Sequence, residues 1–485
     1  MTTPSIRRGA AATGNAHATA AAAEVHKAGG NAVDAALAAQ TAVMVSMPQA
    51  AGFGGDVLAI VKDSNDQVVG VNGTGKSASH WPTTQLAGCV GTSIAVPGAV
   101  QAIFDMHALW GNVPIDVVLR PALRLAEDGV LVDHHLSAAI RAQRARIEDV
   151  SPDAPLLTLT EGDRWHQPEL ATLLQDLIAH GPSAFYTGKR AAAISKKVHE
   201  LGGGLSVVDL QAQTTVIGAP IPVSWNAGTV WVQPPVSQGV LLAMALNWLD
   251  SRATSFDAAQ LEHVLVELTS ACFGSRSDCE LGAQLLERAL DVDTKRATNR
   301  RGPRAYLHTA GVATADESGR IVSSLISVFD DFGSAAWVPE VGIFLNNRCD
   351  GFTEGANSPA PGKRPIHTLA PILVRDADGG FTALATPGAD GQVQTLLQIL
   401  VHQRNGAPLG DSIERHRWRS QDATLLLERD HPRLGHLANY GHHIAVREAG
   451  DDVFGAVVAA GVAKGEPFAN ADWRRQTTAA HYTQE

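Results

Sequence analysis

The spacing of apolar residues in the front part of the chain is mainly helical. Two Ala-rich segments between residues 16 and 43 are separated by Gly29-Gly30-Asn31, which predicts a helix, a glycine C-cap and a second helix from about Ala32. From Val96 to about His199 apolar residues recur at i, i+3 and i+4, and another helical block runs from Gly239 to Leu249. This part of the chain therefore predicts several packed helices.

Strand patterns interrupt the helical pattern early and then dominate the back of the chain. A hairpin is predicted early, with strands Val57–Val61 and Val68–Val71 joined by a polar turn. The chain becomes polar between Asp291 and Tyr306, which indicates a linker. Beyond it, short apolar runs typical of strands, GIFLNN among them, alternate with hairpin turns. The pattern predicts a mixed α and β protein whose sheet is completed late in the sequence.

Composition narrows the class of protein. The chain has 485 residues, of which 45% are hydrophobic and 18% are charged, as is typical of globular proteins. Its net charge is −11 and its basic residues are scattered, which argues against nucleic-acid binding. No apolar run reaches the length of a membrane helix, and no signal-peptide pattern is present. Four cysteines without zinc spacing favour free thiols and a cytoplasmic location.

Thr309 opens the strand-rich part directly after the polar linker, and it has two interpretations. The ordinary one is a β-forming residue at the start of an edge strand. The chemical one is self-cleavage before Thr309, because a threonine with a free α-amine carries its own general base. The linker would supply the flexible segment that such cleavage needs. Gly388 and Ala389, in a Gly-rich turn after a predicted strand, offer backbone N–H groups to a developing oxyanion.

Seven collinear blocks resemble the gamma-glutamyltransferase (gamma-glutamyltranspeptidase) family over nearly the whole chain. The blocks are AGGNAVDAALAAQTAVMVSMPQAAGFGGD, VPGAV, PPVSQGV, TADESGRIVSSLISVFDDFGS, GIFLNN, PGKRPIHTLAP and ATPGADGQ. The resemblance implies an α+β protein with the four-layer αββα sandwich of the N-terminal-nucleophile hydrolases. It also implies that Thr309 is the nucleophile, and that autoproteolysis yields a large subunit, 1–308, and a small subunit, 309–485, which together remain one structural unit.

The resemblance implies roles for three further residues. Ser327 matches a second hydroxyl that assists the amine of the nucleophile, although a polar residue on the outer face of a strand would also fit. Gly388 and Ala389 match the paired glycines whose N–H groups form the oxyanion hole. Alanine at the second position is compatible with this role, because the donor belongs to the main chain.

Two positions depart from the family members that handle glutathione. Thr74 stands near the place of an arginine that binds the glutamyl carboxylate, and Gly351 stands at the place of an aspartate that binds the amine. A charged amino-acid head group would lose these partners in a buried site, at a cost of several kcal/mol. Ordinary glutathione chemistry is therefore not expected.

The segments GFGGDVLAIV, NGTGK, NNR and PGKRPIHT resemble the branch of the family that includes oxamate amidohydrolase and homologues from alkylproline natural-product pathways. A guanidinium binds a short carboxylate in a bidentate fork, so Arg348 is the first candidate for substrate binding. The alternative for Arg348 is a surface arginine in an ion pair. The other candidate substrate-binding residues in these segments are Asn72, Lys76, Asn347 and His367.

The predicted function is hydrolysis, or transfer, of a small carboxylate-bearing acyl group such as an oxalyl unit, from an amide or by C–C bond cleavage. The expected partners are a small-molecule acyl donor, water or a small amine as acceptor, and the cleaved subunits as a heterodimer or a pair of heterodimers. The alternatives are a gamma-glutamyl or glutaryl amide hydrolase or transferase and, outside enzymes, an unprocessed inactive homologue acting as a partner or scaffold. His308, Ala310 and Phe329, which are unusual for the family, motivate the last alternative.

Histidines near the C-terminus raise the question of a metal site. The resemblance implies no metal and no other cofactor, and the spacing of these residues lacks the i, i+4 pair and third ligand typical of zinc. We therefore expect no cofactor. The histidines concerned are His431, His436, His442 and His443.

Overall fold

Helices and strands alternate in blocks along the chain in a computed structural model, which describes residues 8–80, 89–252, 256–300 and 309–483. The strands of these residues are β1 (Arg8–Thr13), β2 (Asp56–Lys62), β3 (Val68–Gly73), β4 (Val130–Leu131), β5 (Arg164–Trp165), β6 (Val216–Gly218), β7 (Ile221–Trp225), β8 (Gly228–Val232), β9 (Ala310–Asp316), β10 (Ile321–Ser327), β11 (Trp337–Val338), β12 (Ile343–Phe344), β13 (Ile372–Arg375), β14 (Phe381–Ala385), β15 (Trp418–Gln421), β16 (Thr424–Glu428), β17 (Ile444–Arg447), β18 (Val458–Ala463), β19 (Glu466–Ala471) and β20 (Thr478–Thr483). The α-helices are α1 (Ala16–Lys27), α2 (Ala32–Ser46), α3 (Ala99–Trp110), α4 (Ile115–Asp128), α5 (His134–Val150), α6 (Pro168–His180), α7 (Ser183–Tyr186), α8 (Gly188–Glu200), α9 (Val207–Gln211), α10 (Gly239–Asp250), α11 (Ala258–Phe273), α12 (Gly391–Arg404), α13 (Leu409–Glu414) and α14 (Leu434–Asn439).

Two antiparallel sheets occupy the middle of the molecule. The first has the order β20-β1-β9-β10-β2-β3-β6 and the second the order β19-β18-β14-β13-β8-β7. In both sheets, strands that precede Thr309 therefore lie beside strands that follow it. This confirms the prediction that the sheet is completed late in the sequence.

Because side chains alternate along a strand, each sheet packs against a different layer on each of its two faces. In β2, Val57, Ala59 and Val61 belong to the core shared with α1 and α2, whereas Leu58 and Ile60 belong to the core between the sheets. On the far side, the second sheet packs against α10 and α12, and α11 packs against these two helices. The four layers are helices, sheet, sheet and helices, so the predicted αββα sandwich is confirmed.

Local sequence signals place the first helices as predicted. The side chain of Asn31 accepts hydrogen bonds from the N–H groups of Val33 and Asp34, and the carboxylate of Asp34 accepts one from the N–H of Asn31. This capping box begins α2 at Ala32. All residues of α2 are buried, because small alanine side chains let it pack closely between its neighbours.

Two predictions about the strand-rich part need correction. The strand that follows Thr309 is not an edge strand, because β9 pairs with β1 on one side and with β10 on the other. The run from Gly342 to Asn347 forms strand only at Ile343–Phe344, after which the chain turns into the segment that carries Arg348. Both outcomes depend on pairing with distant residues, which a local pattern does not record.

The predicted linker lies partly outside the described residues. Its described part, 291–300, contains no helix or strand, but hydrogen bonds hold it in place. The N–H of Ala297 donates to the carbonyl of Tyr440 at 2.8 Å, and the N–H of Thr298 donates to Glu267 at 3.0 Å. His308 lies outside the described residues, so the division into 1–308 and 309–485 stays a prediction.

None of the described helices is long and apolar enough to span a membrane.

Candidate active site

The candidate nucleophile stands at one end of a row of polar residues that crosses the first sheet. β9 and β10 pair through Ala310 and Ile326, so Thr309 continues the register opposite Ser327. Ser327 is in turn the partner of Asp56 in β2. Because neighbouring strands are about 4.8 Å apart, the Cα atoms of Thr309 and Asp56 are about 10 Å apart.

The row faces the layer between the two sheets. Directly paired residues point to the same face, and Leu58 and Leu325, two residues from Asp56 and Ser327, belong to the core between the sheets. Thr309 and Ser327 are only 5% and 2% exposed. Ser327 therefore lies on the inner face of its strand, and the outer-face interpretation is wrong.

A small cavity of about 30 Å³ lies beside Thr309. Its wall includes Pro387, Gln49 and Arg475. The side-chain oxygen of Gln49 is buried without a hydrogen-bond partner among the described residues, and burial lowers the pKa of Arg475. Gln49 and Arg475 were not predicted, because they approach Thr309 only through the tertiary fold.

The turn that carries Gly388 and Ala389 joins β14 to α12, and both residues have positive φ angles, 120° and 48°. The carbonyl of Gly388 accepts a hydrogen bond from Arg419 at 3.0 Å, and that of Ala389 accepts one from Gln238 at 3.1 Å. These bonds fix the orientation of the two peptide groups. The turn is therefore held by its carbonyls, as a preorganised pair of N–H donors requires.

Arg348 is fully buried beside the same row. Its Nε donates to the carboxylate of Asp56 at 2.8 Å, and its guanidinium lies over the ring of Phe329, 4.5 Å from the centroid. The N–H of Phe329 donates to the hydroxyl of Ser327 at 2.9 Å. Both terminal nitrogens of Arg348 are buried without a hydrogen-bond partner among the described residues. The ion pair foreseen for Arg348 exists, but it is buried and not on the surface.

Asp56 joins Arg348 to His367, whose Nε2 lies 3.4 Å from the same carboxylate. The Nδ1 of His367 accepts a hydrogen bond from the N–H of Leu369 at 3.1 Å, which assigns the ring proton to Nε2. Burial would raise the pKa of Asp56, but the hydrogen bond from His367 and the charge of Arg348 outweigh it and hold the pKa below its usual value. Burial and the charge of Arg348 lower the pKa of His367 to about 4. Near neutral pH the group therefore combines a cation, an anion and a neutral imidazole.

Two predicted substrate-binding asparagines hold nearby parts of the protein. The side chain of Asn347 donates to Asp330 and Asp350 at 2.7 and 2.9 Å. The side-chain oxygen of Asn72 accepts hydrogen bonds from the N–H and hydroxyl groups of Thr74 at 3.0 and 2.7 Å. Both side chains are thus occupied by neighbouring residues.

The structure brings Thr309, Ser327, Arg348 and His367 together along or beside the polar row. The side chain of Lys76 is exposed, next to Gly75, whose N–H donates to Asp56 at 3.1 Å. Sequence analysis gave no role to Asp56, the residue that holds Arg348 and His367. An acidic residue at the start of a fully apolar strand was a usable signal, because a buried carboxylate needs partners.

An αββα sandwich with a threonine at the start of an inner strand, facing the layer between the sheets, defines the N-terminal-nucleophile hydrolase class. The crystal structure of a cephalosporin acylase from Bacillus halodurans has the same fold, with a TM-score of 0.87 and 24% identity, covering 98% of this chain and 96% of that chain. The chain belongs to the gamma-glutamyltranspeptidase family, whose family model matches residues 18–482.

Relatives within the family are hydrolases and acylases. The chain is 29% identical over 467 residues to the oxamate amidohydrolase proenzyme of Klebsiella pneumoniae subsp. pneumoniae, covering 86% of this chain and 88% of that protein. It is also 29% identical over 475 residues to the acylase ACY 1 proenzyme of Pseudomonas sp. (strain V22), covering 87% and 84%. The chain is therefore a hydrolase or acyltransferase of this family, and the predicted enzyme class is confirmed.

Proposed function

We propose that this enzyme cleaves itself before Thr309 and then hydrolyses a small acyl group that carries a carboxylate, with an oxalyl unit as the leading example. The observation that carries the proposal is the state of Arg348, which is fully buried with both terminal nitrogens lacking a partner among the described residues. Buried donors without partners are costly, and a carboxylate would satisfy both nitrogens in one bidentate fork. The relative named oxamate amidohydrolase proenzyme supports the same class of acyl donor.

The polar row supports an acyl-enzyme route. After cleavage, the α-amine of Thr309 takes the proton of its own hydroxyl as the Oγ–carbon bond forms. The N–H groups of Gly388 and Ala389 would receive the oxyanion, and Ser327 would hold the amine. Collapse of the tetrahedral intermediate breaks the bond to the leaving group, which departs with the proton. The amine then activates a water molecule, which hydrolyses the acyl ester of Thr309. A small amine in place of water gives transfer.

The sheet topology supports a lasting association of the two cleaved parts. The first sheet combines β1, β2 and β3 with β9, β10 and β20, and the second combines β7 and β8 with β13 and β14. Separation would break strand pairs in both sheets, so we propose a heterodimer. The cysteines of the described residues are free thiols, which supports the proposed cytoplasmic location.

The intact mass of the purified protein tests the cleavage. We expect the wild type to split into 1–308 and 309–485, and Thr309→Ala to remain one chain. Thr309→Ser keeps a hydroxyl nucleophile and should still cleave, which controls for misfolding. A wild type that stays intact after prolonged incubation would overturn the autoprocessing proposal.

A series of anilides tests the acyl group. Oxalyl, succinyl and glutaryl anilides place a carboxylate at increasing distance from the scissile carbonyl, and the gamma-glutamyl anilide keeps the glutaryl distance and adds an α-amine. We expect the oxalyl compound to be hydrolysed fastest and oxamate to release oxalate. Faster turnover of the glutaryl or gamma-glutamyl compound would overturn the oxalyl proposal and favour a glutaryl or gamma-glutamyl amide hydrolase. Release of oxalate from a carbon-linked oxalyl donor, but not from oxamate, would favour C–C bond cleavage.

A further inference from the structure

Three buried side chains of types that bind metals meet between α11 and the loop before β17. All three are far from Thr309 along the chain. His263 and Glu267 lie one helical turn apart on α11, and His442 comes from the loop. One possible ligand atom from each lies within 4.8 Å of the others. The residues are 0%, 2% and 8% exposed, so the cluster is shielded from bulk solvent.

The hydrogen bonds of His263 aim a lone pair into the cluster. Its Nε2 lies 3.0 Å from the carbonyl of Asp293, so this nitrogen carries the proton and Nδ1 carries the lone pair. Nδ1 lies 2.9 Å from Nε2 of His442, and the His263 ring stacks on Tyr440 with centroids 4.0 Å apart. Metal-binding histidines are commonly oriented in this way, by a carbonyl that accepts the proton of the other ring nitrogen.

Glu267 is held in place by hydrogen bonds from Thr298. Its two carboxylate oxygens accept hydrogen bonds from the N–H of Thr298, at 3.0 Å, and from the hydroxyl of Thr298. Both of these donors are neutral. A buried carboxylate is costly without a cation, and each of its oxygens has a second lone pair.

We propose that His263, Glu267 and His442 bind one divalent transition-metal ion, with zinc as the expected ion. Two imidazole nitrogens and one carboxylate are a ligand set that zinc takes in proteins, and its charge would compensate that of Glu267. Tetrahedral zinc separates two ligand atoms by roughly 3.3 Å, so the imidazoles need to move apart only slightly, and Glu267 inward by at most about 1.5 Å, since the three ligand atoms lie within 4.8 Å of one another. Binding at Nε2 of His442 needs the other neutral tautomer of that ring, so the proton moves through solvent from Nε2 to Nδ1 and none is lost overall.

This proposal departs from the expectation of no metal. The helical i, i+4 pair that the C-terminal histidines lack is present on α11. The fold then brings His442 against His263, which lies 179 residues earlier in the chain.

The site would tie the two parts of the enzyme together. His263 and Glu267 belong to 1–308 and His442 belongs to 309–485. This consequence rests on the proposed cleavage, whereas metal binding itself does not. His263 and Glu267 also form hydrogen bonds with residues 293 and 298. A metal ion that fixes these two ligands would therefore also anchor the segment that leads to the cleavage position.

Metal content of the full-length protein tests the site. Protein is produced with added zinc, freed of loosely bound metal by gel filtration, and measured by plasma mass spectrometry. We expect about one zinc per chain in the wild type and in His443→Ala, whose side chain is exposed beside the cluster and which serves as the matched control. His442→Ala and Glu267→Gln should bind zinc at least about 100-fold more weakly, and Thr298→Val about 10-fold more weakly.

Cobalt gives a second readout of the same site. Wild-type protein titrated with Co²⁺ should develop the visible absorption of a tetrahedral nitrogen–oxygen site, and the isosteric Glu267→Gln should lack it while retaining the wild-type circular dichroism spectrum. A wild type that binds neither zinc nor cobalt would overturn the proposal. Equal metal content in the wild type and His442→Ala would overturn it as well.

The uncleaved variant separates this proposal from the proposed function. Thr309→Ala should bind zinc as the wild type does, since none of the three ligands changes. In the cleaved wild type, a chelator should lower the temperature at which 1–308 and 309–485 separate. An uncleaved wild type that binds zinc would contradict the cleavage but support the site, and a cleaved wild type without zinc would do the reverse.

Discussion

Arg348 and Arg474 are both fully buried beside carboxylates, but only Arg474 has a partner at every nitrogen. Arg474 binds Glu428 through Nε and one terminal nitrogen at 2.7 and 2.6 Å, and Asp472 through the other at 3.0 Å. Its further donors bind backbone carbonyls. Arg348 binds the carboxylate of Asp56 through Nε alone, and its terminal nitrogens lack partners among the described residues.

The difference teaches how to distinguish a structural arginine from a binding one. A guanidinium has five N–H donors in a fixed plane, and burial is tolerated when these donors are satisfied. At Arg474 the fold satisfies every nitrogen, so no ligand is needed. At Arg348 the fold satisfies only Nε. The two terminal nitrogens keep the bidentate geometry that best matches a carboxylate. The unfilled donors, more than the burial, point to a substrate site.

Replacing Arg474 should have the largest effect on stability. Arg474→Met leaves Glu428 buried with one cation fewer, and we expect the free energy of unfolding to fall by about 3–5 kcal/mol. Denaturant unfolding monitored by circular dichroism measures this loss. Arg429→Met removes an exposed pair with Glu448 and should change stability little. If both variants lost the same free energy of unfolding, the buried ion pairs of Arg474 would stabilise the fold no more than an exposed ion pair does.

Replacing Arg348 should affect activity more than stability. Arg348→Met removes two charged hydrogen bonds to the proposed carboxylate, and we expect kcat/KM for an oxalyl anilide to fall roughly 100-fold or more. Its stability should fall as well, because the buried Asp56 loses its cation, but by less than that of Arg474→Met, because two unpaired donors disappear with the side chain. Arg348→Lys keeps the charge without the fork and should be intermediate. Hydrolysis of an acetyl anilide, which has no carboxylate, should change little, and an equal loss there would argue against substrate contact.

The neutral histidine beside Arg348 should make stability depend on pH. The pKa of His367 is about 4 in the folded protein against 6.5 for an ordinary histidine, so the unfolded chain binds more protons between these values. The stability contribution is fully present above about pH 6.5 and is lost as pH falls towards 4, by roughly 1–3 kcal/mol. Urea unfolding between pH 7 and pH 4 should give a flatter profile for His367→Gln. His443→Gln should keep the wild-type profile, and a wild-type profile in both variants would contradict the assignment.

The smallest expected effect concerns the turn that carries the proposed oxyanion donors. Ala389 has a φ of 48°, where glycine is less strained, so Ala389→Gly should raise stability by up to about 1 kcal/mol. Activity should persist, because the proposed donor is a backbone N–H. Ala227→Gly relieves a similar φ of 62° in an exposed turn and controls for the effect on stability alone. Loss of activity in Ala389→Gly only would mean that the strained turn itself is required.

Prediction from sequence succeeded where neighbouring residues decide the structure. The cap at Asn31 and the helix from Ala32 follow from hydrogen bonds within one turn, and the hairpin of β2 and β3 follows from alternation and a polar turn. The placement of Thr309 at the start of a strand was also foreseen, and β9 begins at Ala310. The family resemblance added the αββα layers, which no local pattern contains.

The rest depended on pairs of residues far apart in the chain. Asp56 and Arg348 are separated by 292 residues, and nothing in either segment shows that the other will satisfy its charge. Ser327 is buried, and not on an outer face, because it shares the face of its strand with Leu325, which belongs to the core between the two sheets.

The sequence by itself determined the family, the helix caps, the hairpins and the residue types that the candidate chemistry needs. Tertiary structure alone decided which of those residues are buried together, which donors of Arg348 stay unfilled, and which histidine meets the pair on α11. The physical reason is that helix caps and turns form from contacts within a few residues. The free energy of a buried charge depends on partners that only the folded chain brings within hydrogen-bonding distance.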